Sequence, residues 1–270
     1  MNTPGRSTRS RGAGSRPPNW PGPRPTRDDE IGGMNARVWL DLARAGNFPS
    51  VAGNVLAALV LSAPGFPFPA VVPLTLAVVA GWLVYAGGAT FNDVADAAFD
   101  ARHRPERAIP RGTVSRAVAA AVAAVQMAAG LGLLVLTGAS PLWAAALAGV
   151  ILAYDWTHKR WTGSVVLMAG CRVLLGLTVA SRPGHGVTPA LLVWLAVLFV
   201  YIVGLSLLAR REYLPGAPAA KIGRSVGRLL AFIPFVDAAA LLVCGAWAPA
   251  VLCALMVPLG RWAQRGIAAN

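Results

Sequence analysis

The chain is poor in the features that hold most soluble domains together. Three cysteines occur in 270 residues, Cys171, Cys244 and Cys253. All three lie inside apolar blocks with no paired spacing, which argues against a disulfide framework or a zinc site. Charged residues make up only 13% of the chain, where a soluble domain carries roughly 25%. Lysine is almost absent: Lys159 and Lys221 stand against 22 arginines. The first 33 residues lack the apolar run of a secretory leader. They are rich in Pro, Gly, Ser and Arg without apolar periodicity, so 1–33 reads as a disordered cytoplasmic tail. From residue 34 to 270 no polar stretch is long enough for a second fold, leaving one domain there.

What is present is apolar. Hydrophobic residues make up 56% of the chain, gathered in blocks about the length of a bilayer span, roughly 17–25 residues. Eight candidates fall at 48–65, 70–92, 114–137, 141–157, 163–181, 188–209, 226–245 and 248–263. The expected fold is all-α, a polytopic transmembrane helix bundle. Residues 36–45, with Trp39, are expected to form an amphipathic interfacial helix before the first span.

A formal net charge of +13 invites a nucleic-acid reading, but its distribution reports topology instead. Eight arginines precede the first span, from Arg6 to Arg44. Arg102 to Arg116, Lys159 and Arg160, Arg210 to Arg228, and Arg261 and Arg265 follow on alternate links. The opposite links hold only Arg182. The positive-inside rule puts the N-terminus in the cytoplasm of a multi-pass protein of the cell membrane, expected to be a bacterial inner membrane.

Carboxylates then cluster on the basic side. Asp93, Asp96 and Asp100 are spaced three and four apart, so a helix stacks them on one face. Like charges so placed repel, and near lipid each also costs desolvation. Such a face persists when strong positive charge sits among the carboxylates, most simply divalent cations. Mg²⁺ is commonly held by a few carboxylates together with substrate phosphate oxygens. The following loop offers Arg102, His103, Arg104, Arg107 and Arg111 as an anion clamp. Acid face and basic loop together read as a metal–diphosphate site.

Further polar residues end the fourth block: Tyr154, Asp155, His158, Lys159 and Arg160. Aromatic-belt and anchor roles cover Tyr154, Lys159 and Arg160 but leave Asp155 and His158 over. Arg172 and Asp237 lie deep in their blocks, either as a buried pair joining two helices or with Arg172 lining a pocket. Glu212 is the one carboxylate of its basic loop.

Asn92-Asp93-x-x-Asp96-x-x-x-Asp100, followed by Arg104-Pro105-Glu106-Arg107-Ala108-Ile109-Pro110-Arg111-Gly112, resembles the first aspartate-rich motif and loop of the UbiA family of intramembrane prenyltransferases. The lead-in Arg44-Ala45-Gly46-Asn47-Phe48-Pro49-Ser50 with Asn54 is similar to the start of that family's first helix, and Tyr154-Asp155-x-x-His158-Lys159 and Arg172 add to the likeness. The resemblance implies a UbiA-like bundle of eight to nine spans. It further implies that Mg²⁺ holds the diphosphate of a polyprenyl donor, whose chain lies in a lipid-open groove among the helices. An acceptor then attacks the allylic carbon. Asp93, Asp96 and Asp100 would bind the metal. Asp93, Asp96, Arg107 and Lys159 would carry the chemistry. Asn47, Asn92, Arg104, Arg111, Tyr154, Asp155, His158, Arg172 and Arg210 would bind substrate.

One departure stands out. The family's second aspartate-rich motif is replaced by Ala209-Arg210-Arg211-Glu212, so Glu212 becomes the candidate ligand for a second metal. The pattern resembles the EboC-like branch, with an aromatic or cyclitol-like acceptor open. The partners so implied are a polyprenyl diphosphate, an unidentified acceptor and membrane lipid, without nucleic acid. A non-catalytic isoprenoid-binding relative and a transporter are the rival readings. A CDP-alcohol phosphotransferase is disfavoured, because Arg116 and Ala120 stand where its last two aspartates would be.

Overall fold

The computed structural model describes residues 36–159, 161–213, 216 and 218–267. The tail expected at 1–33 and Arg160 lie outside the described residues. A short helix α1 (Ala36–Leu42) leads through a 3₁₀ turn (Ala45–Asn47) into α2 (Phe48–Ser62). Then follow α3 (Val71–His103), α4 (Arg116–Leu136), α5 (Pro141–Thr157), α6 (Ser164–Ala180) and α7 (Pro189–Arg210). A 3₁₀ turn (Arg211–Tyr213) separates α7 from α8 (Ala219–Val243) and α9 (Trp247–Ala263). Eight helices therefore follow α1, one per apolar block, and the described residues contain no strand. Five are long and apolar enough to cross a membrane, counting α2 with its 3₁₀ turn; α6 and α9 are shorter apolar helices.

Local chemistry sets the helix ends. Pro49, Pro141 and Pro189 fall in first turns, where a missing N–H removes nothing the helix would use. Ser115 caps α4 by accepting from the Val118 amide at 3.2 Å, and Thr188 caps α7 by accepting from Leu191 at 3.1 Å.

The bundle is built around α2, in which every residue from Pro49 to Ser62 is buried. It packs against α3, α6, α7, α8 and α9. Outward faces stay apolar and exposed, as at Leu136, Val243 and Trp247, the pattern of a lipid-facing surface.

The sequence predicts that the second span ends near residue 92, but α3 continues without a break for 33 residues. At 1.5 Å per residue that is about 50 Å, well beyond the roughly 30 Å hydrocarbon core. Ala95, Ala97 and Ala98 alternate with the aspartates and sustain the helix past the membrane edge. The carboxylates thus ride on its last turns.

A candidate diphosphate site at the polar end of the bundle

The continuous α3 places Asp93, Asp96 and Asp100 on one face, and cations converge on them from separate segments. Arg107, in the loop after α3, donates from one nitrogen to Asp93 at 2.9 Å and to Asp100 at 3.0 Å. Asp100 is almost wholly buried. Arg44, before α2, donates to Asp93 at 2.9 Å and to the Asn92 amide oxygen at 3.3 Å. Burial works against the Arg44 charge, but Asp93, together with Tyr85 and Tyr154, more than offsets it and holds the guanidinium above its ordinary value. Arg44 also sits in the left-handed region at φ 48°, which a side chain rarely adopts and which recurs at functional sites.

Asp96 faces the end of α5 instead. His158 Nε2 lies 3.1 Å from its carboxylate, and Lys159 Nζ is 3.1 Å from Oδ2. The other His158 nitrogen lies 3.2 Å from the Tyr154 and Asp155 carbonyls. Both ring nitrogens therefore lie within hydrogen-bond distance of oxygens. Lys159 also sits over the Phe99 ring at 4.1 Å. Arg210, at the end of α7, ties this corner down by donating to the His158 carbonyl at 2.8 Å and to Ser164 Oγ at 2.7 Å.

Beside the charged cluster lies a cavity among α3, α5 and α6. Its walls include Val84, Leu147, Ile151 and Leu175, and its polar end is Arg44, Asn92, Tyr154, Asp155 and Arg172. Asn92 donates to Asp155 Oδ1 at 3.2 Å, while Oδ2 of Asp155 is buried with no hydrogen-bond partner among the described residues. Arg44 and Asn92 belong to both the cavity and the carboxylate cluster. A charged head site and an apolar slot are therefore contiguous.

Other expected residues fall elsewhere. Glu212 meets Arg104 at 3.4 Å. Arg111 is exposed and donates to Thr113 at 3.0 Å. Asn47 donates to the Tyr85 hydroxyl and accepts from Gln264, both at 3.0 Å. The direct Arg172–Asp237 pair is replaced by a relay. Arg172 donates to Asn54 Oδ1 at 2.7 Å and to Ser50 Oγ at 3.1 Å. The Asn54 amide in turn donates to both Asp237 oxygens, at 2.9 and 3.0 Å, and Trp194 donates to Asp237 at 3.0 Å. An amide between the charges satisfies more lone pairs than a bare ion pair would. Arg172 also lies over the Tyr85 ring, 5.2 Å from its centre, so it both joins helices and lines the cavity.

The donor set is compatible with Mg²⁺. Its ligands are hard oxygens, and the geometry already places positive charge between Asp93 and Asp100. Among the described residues no three metal-binding side chains gather closely enough to hold an ion unaided. Oxygens of a bound phosphate would have to complete the shell, as is usual for Mg²⁺.

Sequence reasoning did not assign Arg44, Tyr85, Ser50 or Trp194 a role in the site. Arg44 enters the sequence reading as a basic residue before the first span and as the start of the family-like lead-in, with no role in the site; the αL conformation at this residue has no letter-level signature. Asn54 enters the sequence reading only through the likeness of the first helix, without a partner assigned to it.

The profile of the UbiA prenyltransferase family matches residues 51–267. A protein of Methanopyrus kandleri named digeranylgeranylglyceryl phosphate synthase is 35% identical over 165 residues, 59% of each chain. Proteins of the same name from Methanoculleus marisnigri and Metallosphaera sedula are 35% identical over 116 residues and 31% over 134. These matches take in 41% of each chain for the first, and 49% of this chain and 47% of the relative for the second. The chain thus spans about three fifths or less of the length of these curated relatives. A solved chain, from work on the biosynthesis of digeranylgeranylglyceryl phosphate synthase in membranes, superposes with a TM-score of 0.57 at 14% identity. It covers 86% of this chain and 95% of its own, a likeness of fold.

Proposed function

The chain belongs to the UbiA prenyltransferase family, and we propose that it transfers a prenyl group from a polyprenyl diphosphate to an acceptor inside the membrane. One observation carries this reading: Arg44 and Asn92 join the charged cluster to the apolar cavity. Such a site suits a ligand with an anionic head and a hydrocarbon tail.

Arg107 and Lys159, with Arg44 at the cavity mouth, bind and orient the diphosphate. Their donors lie where charge grows as the allylic C–O bond breaks and its electron pair leaves with the diphosphate. Asp93, Asp96 and Asp100 pair with these cations, and they are the residues that would hold Mg²⁺ alongside the phosphates. The metal, when bound, supplies Lewis-acid neutralisation of the leaving group. Tyr85 and the apolar wall exclude water from the allylic carbon. The acceptor forms the new bond to that carbon and gives up a proton. Aromatic and cyclitol-like acceptors remain in play, and the name of the relatives adds a glyceryl phosphate lipid. The charge distribution supports a cytoplasmic N-terminus and a site open to the cytoplasm.

The test is diphosphate release and labelled-prenyl incorporation in membranes containing the chain. Donors of C10 to C20 and longer would be offered, with and without Mg²⁺. The expected result is metal-dependent transfer that Asp93→Ala and Asp96→Ala abolish, with both variants still folded. Full activity in both would overturn the site. Donor binding without release would favour the non-catalytic relative.

A further inference from the structure

Arg182 stands apart from the charges of the carboxylate cluster and its cations. It follows α6 directly, at the end of the bundle opposite the carboxylates. Ser164, at the other end of that helix, bonds to Arg210 of the diphosphate site. The 17 residues of α6 put the two ends about 25 Å apart. The links at this far end, 63–70, 137–140, 181–188 and 244–246, contain no Asp or Glu, and Arg182 is their only Lys or Arg.

The guanidinium is nonetheless inside the protein, only 5% exposed. Its partner is a neutral hydroxyl: Nη2 donates to Thr137 Oγ1 at 2.7 Å. Nε is buried without any acceptor among the described residues. His185, the other titratable group of this loop, turns its Nδ1 to the Pro183 carbonyl at 3.2 Å. A buried cation without a counter-charge is costly, and within a membrane protein it points to a missing partner. Burial accordingly lowers its hold on the proton, with no acidic neighbour to restore it.

The surroundings narrow what that partner is. The amide of Ser140 donates to Ser181 Oγ at 2.9 Å, which sets the first turn of α5 beside Arg182. In that turn Pro141 has no amide hydrogen and Ser140 offers no side-chain cap, so the Leu142 and Trp143 amides are the ones without an intrahelical acceptor, and they favour an anion. Around it the surface is apolar and open: Leu136 is 85% exposed and Leu142 77%. Cation, helix start and bare hydrocarbon surface are thus next to one another.

We propose that Arg182 and the first turn of α5 form a site for the phosphate of a membrane phospholipid, on the face opposite the diphosphate site. The lipid's acyl chains lie along Leu136 and Leu142. This site is independent of prenyl transfer and stands whether or not that reading holds.

The test uses the full chain, delipidated in detergent and examined by native mass spectrometry and thermal unfolding. The added probes are a phosphatidylglycerol, the diacylglycerol with the same chains, and inorganic phosphate. Phosphatidylglycerol is expected to remain bound to the wild type and to raise its unfolding midpoint. Arg182→Gln should weaken that retention roughly tenfold, the scale of one charge-assisted contact, and Arg182→Lys should fall between. Because the arginines of the other end are unchanged, the difference reports this site alone. Equal retention by Arg182→Gln overturns the proposal, as does equal stabilisation by diacylglycerol. Inorganic phosphate matching the lipid would make the ligand a free anion and overturn the lipid assignment. Should Arg182→Gln not fold, Arg182→Lys and the wild-type comparison of phosphatidylglycerol with diacylglycerol decide.

Discussion

One amide, that of Asn54, holds a buried guanidinium and a buried carboxylate apart while bonding to both. Arg172 and Asp237 are thereby fixed without collapsing onto each other. Asp237→Ala would leave Arg172 without its balancing charge and cost about 3–5 kcal/mol, seen as a lower unfolding midpoint in detergent. Asp237→Asn keeps the shape and should cost distinctly less. A midpoint unchanged in Asp237→Ala would show that the relay contributes nothing to stability. In the carboxylate cluster, Arg44→Ala removes a cation shared by Asp93 and the cavity. Loss of one such donor from an anion site typically lowers kcat by about 10²–10³-fold. Diphosphate release in membranes checks this, and a rate within a factor of two of wild type would exclude Arg44 from the site.

Among the elements, α3 and α4 show what small residues do in a bilayer. A Cβ on Gly130 would sit 2.7 Å from the Ala80 carbonyl, and one on Gly87 would sit 2.9 Å from that of Ala123. The two backbones touch at those points. Gly130→Leu is expected to push the helices apart and cost several kcal/mol, since overpacking alone runs to about 1–3; loss of monodisperse protein on detergent extraction would show it. Eight apolar blocks and the aspartate spacing were legible at this scale, because period and length write directly into letters. The end of α3 was not: a hydropathy pattern reports where lipid stops, whereas the helix continues on alanine propensity. The Asn54 relay was also hidden, since contacts between residues 118 and 183 positions apart leave no local pattern. Arg107 was readable because its carboxylates lie 7 and 14 residues away, across a single turn of chain.

Taken whole, the molecule separates its two ends by charge. One carries the acid–base cluster, and the links of the other offer Arg182 as their only Lys or Arg. If the basic end is cytoplasmic, a membrane-impermeant maleimide applied to intact cells should label Val187→Cys and spare Thr113→Cys. The reverse pattern would invert the topology. Both positions are exposed, so access would follow sidedness.

The burial of α2 on every side has a consequence for how the chain is made. This helix leaves the ribosome before any of the others that wall it in, and α8 and α9, which press against it, come last. Ser50 and Asn54 therefore enter the bilayer with their eventual partners Arg172 and Asp237 still unsynthesised. Among the described spans, the first to arrive is the last to be completed. Until Gln264 reaches Asn47, a nascent chain carries an open seam along α2, and that seam is where a quality-control protease would find an unfinished copy.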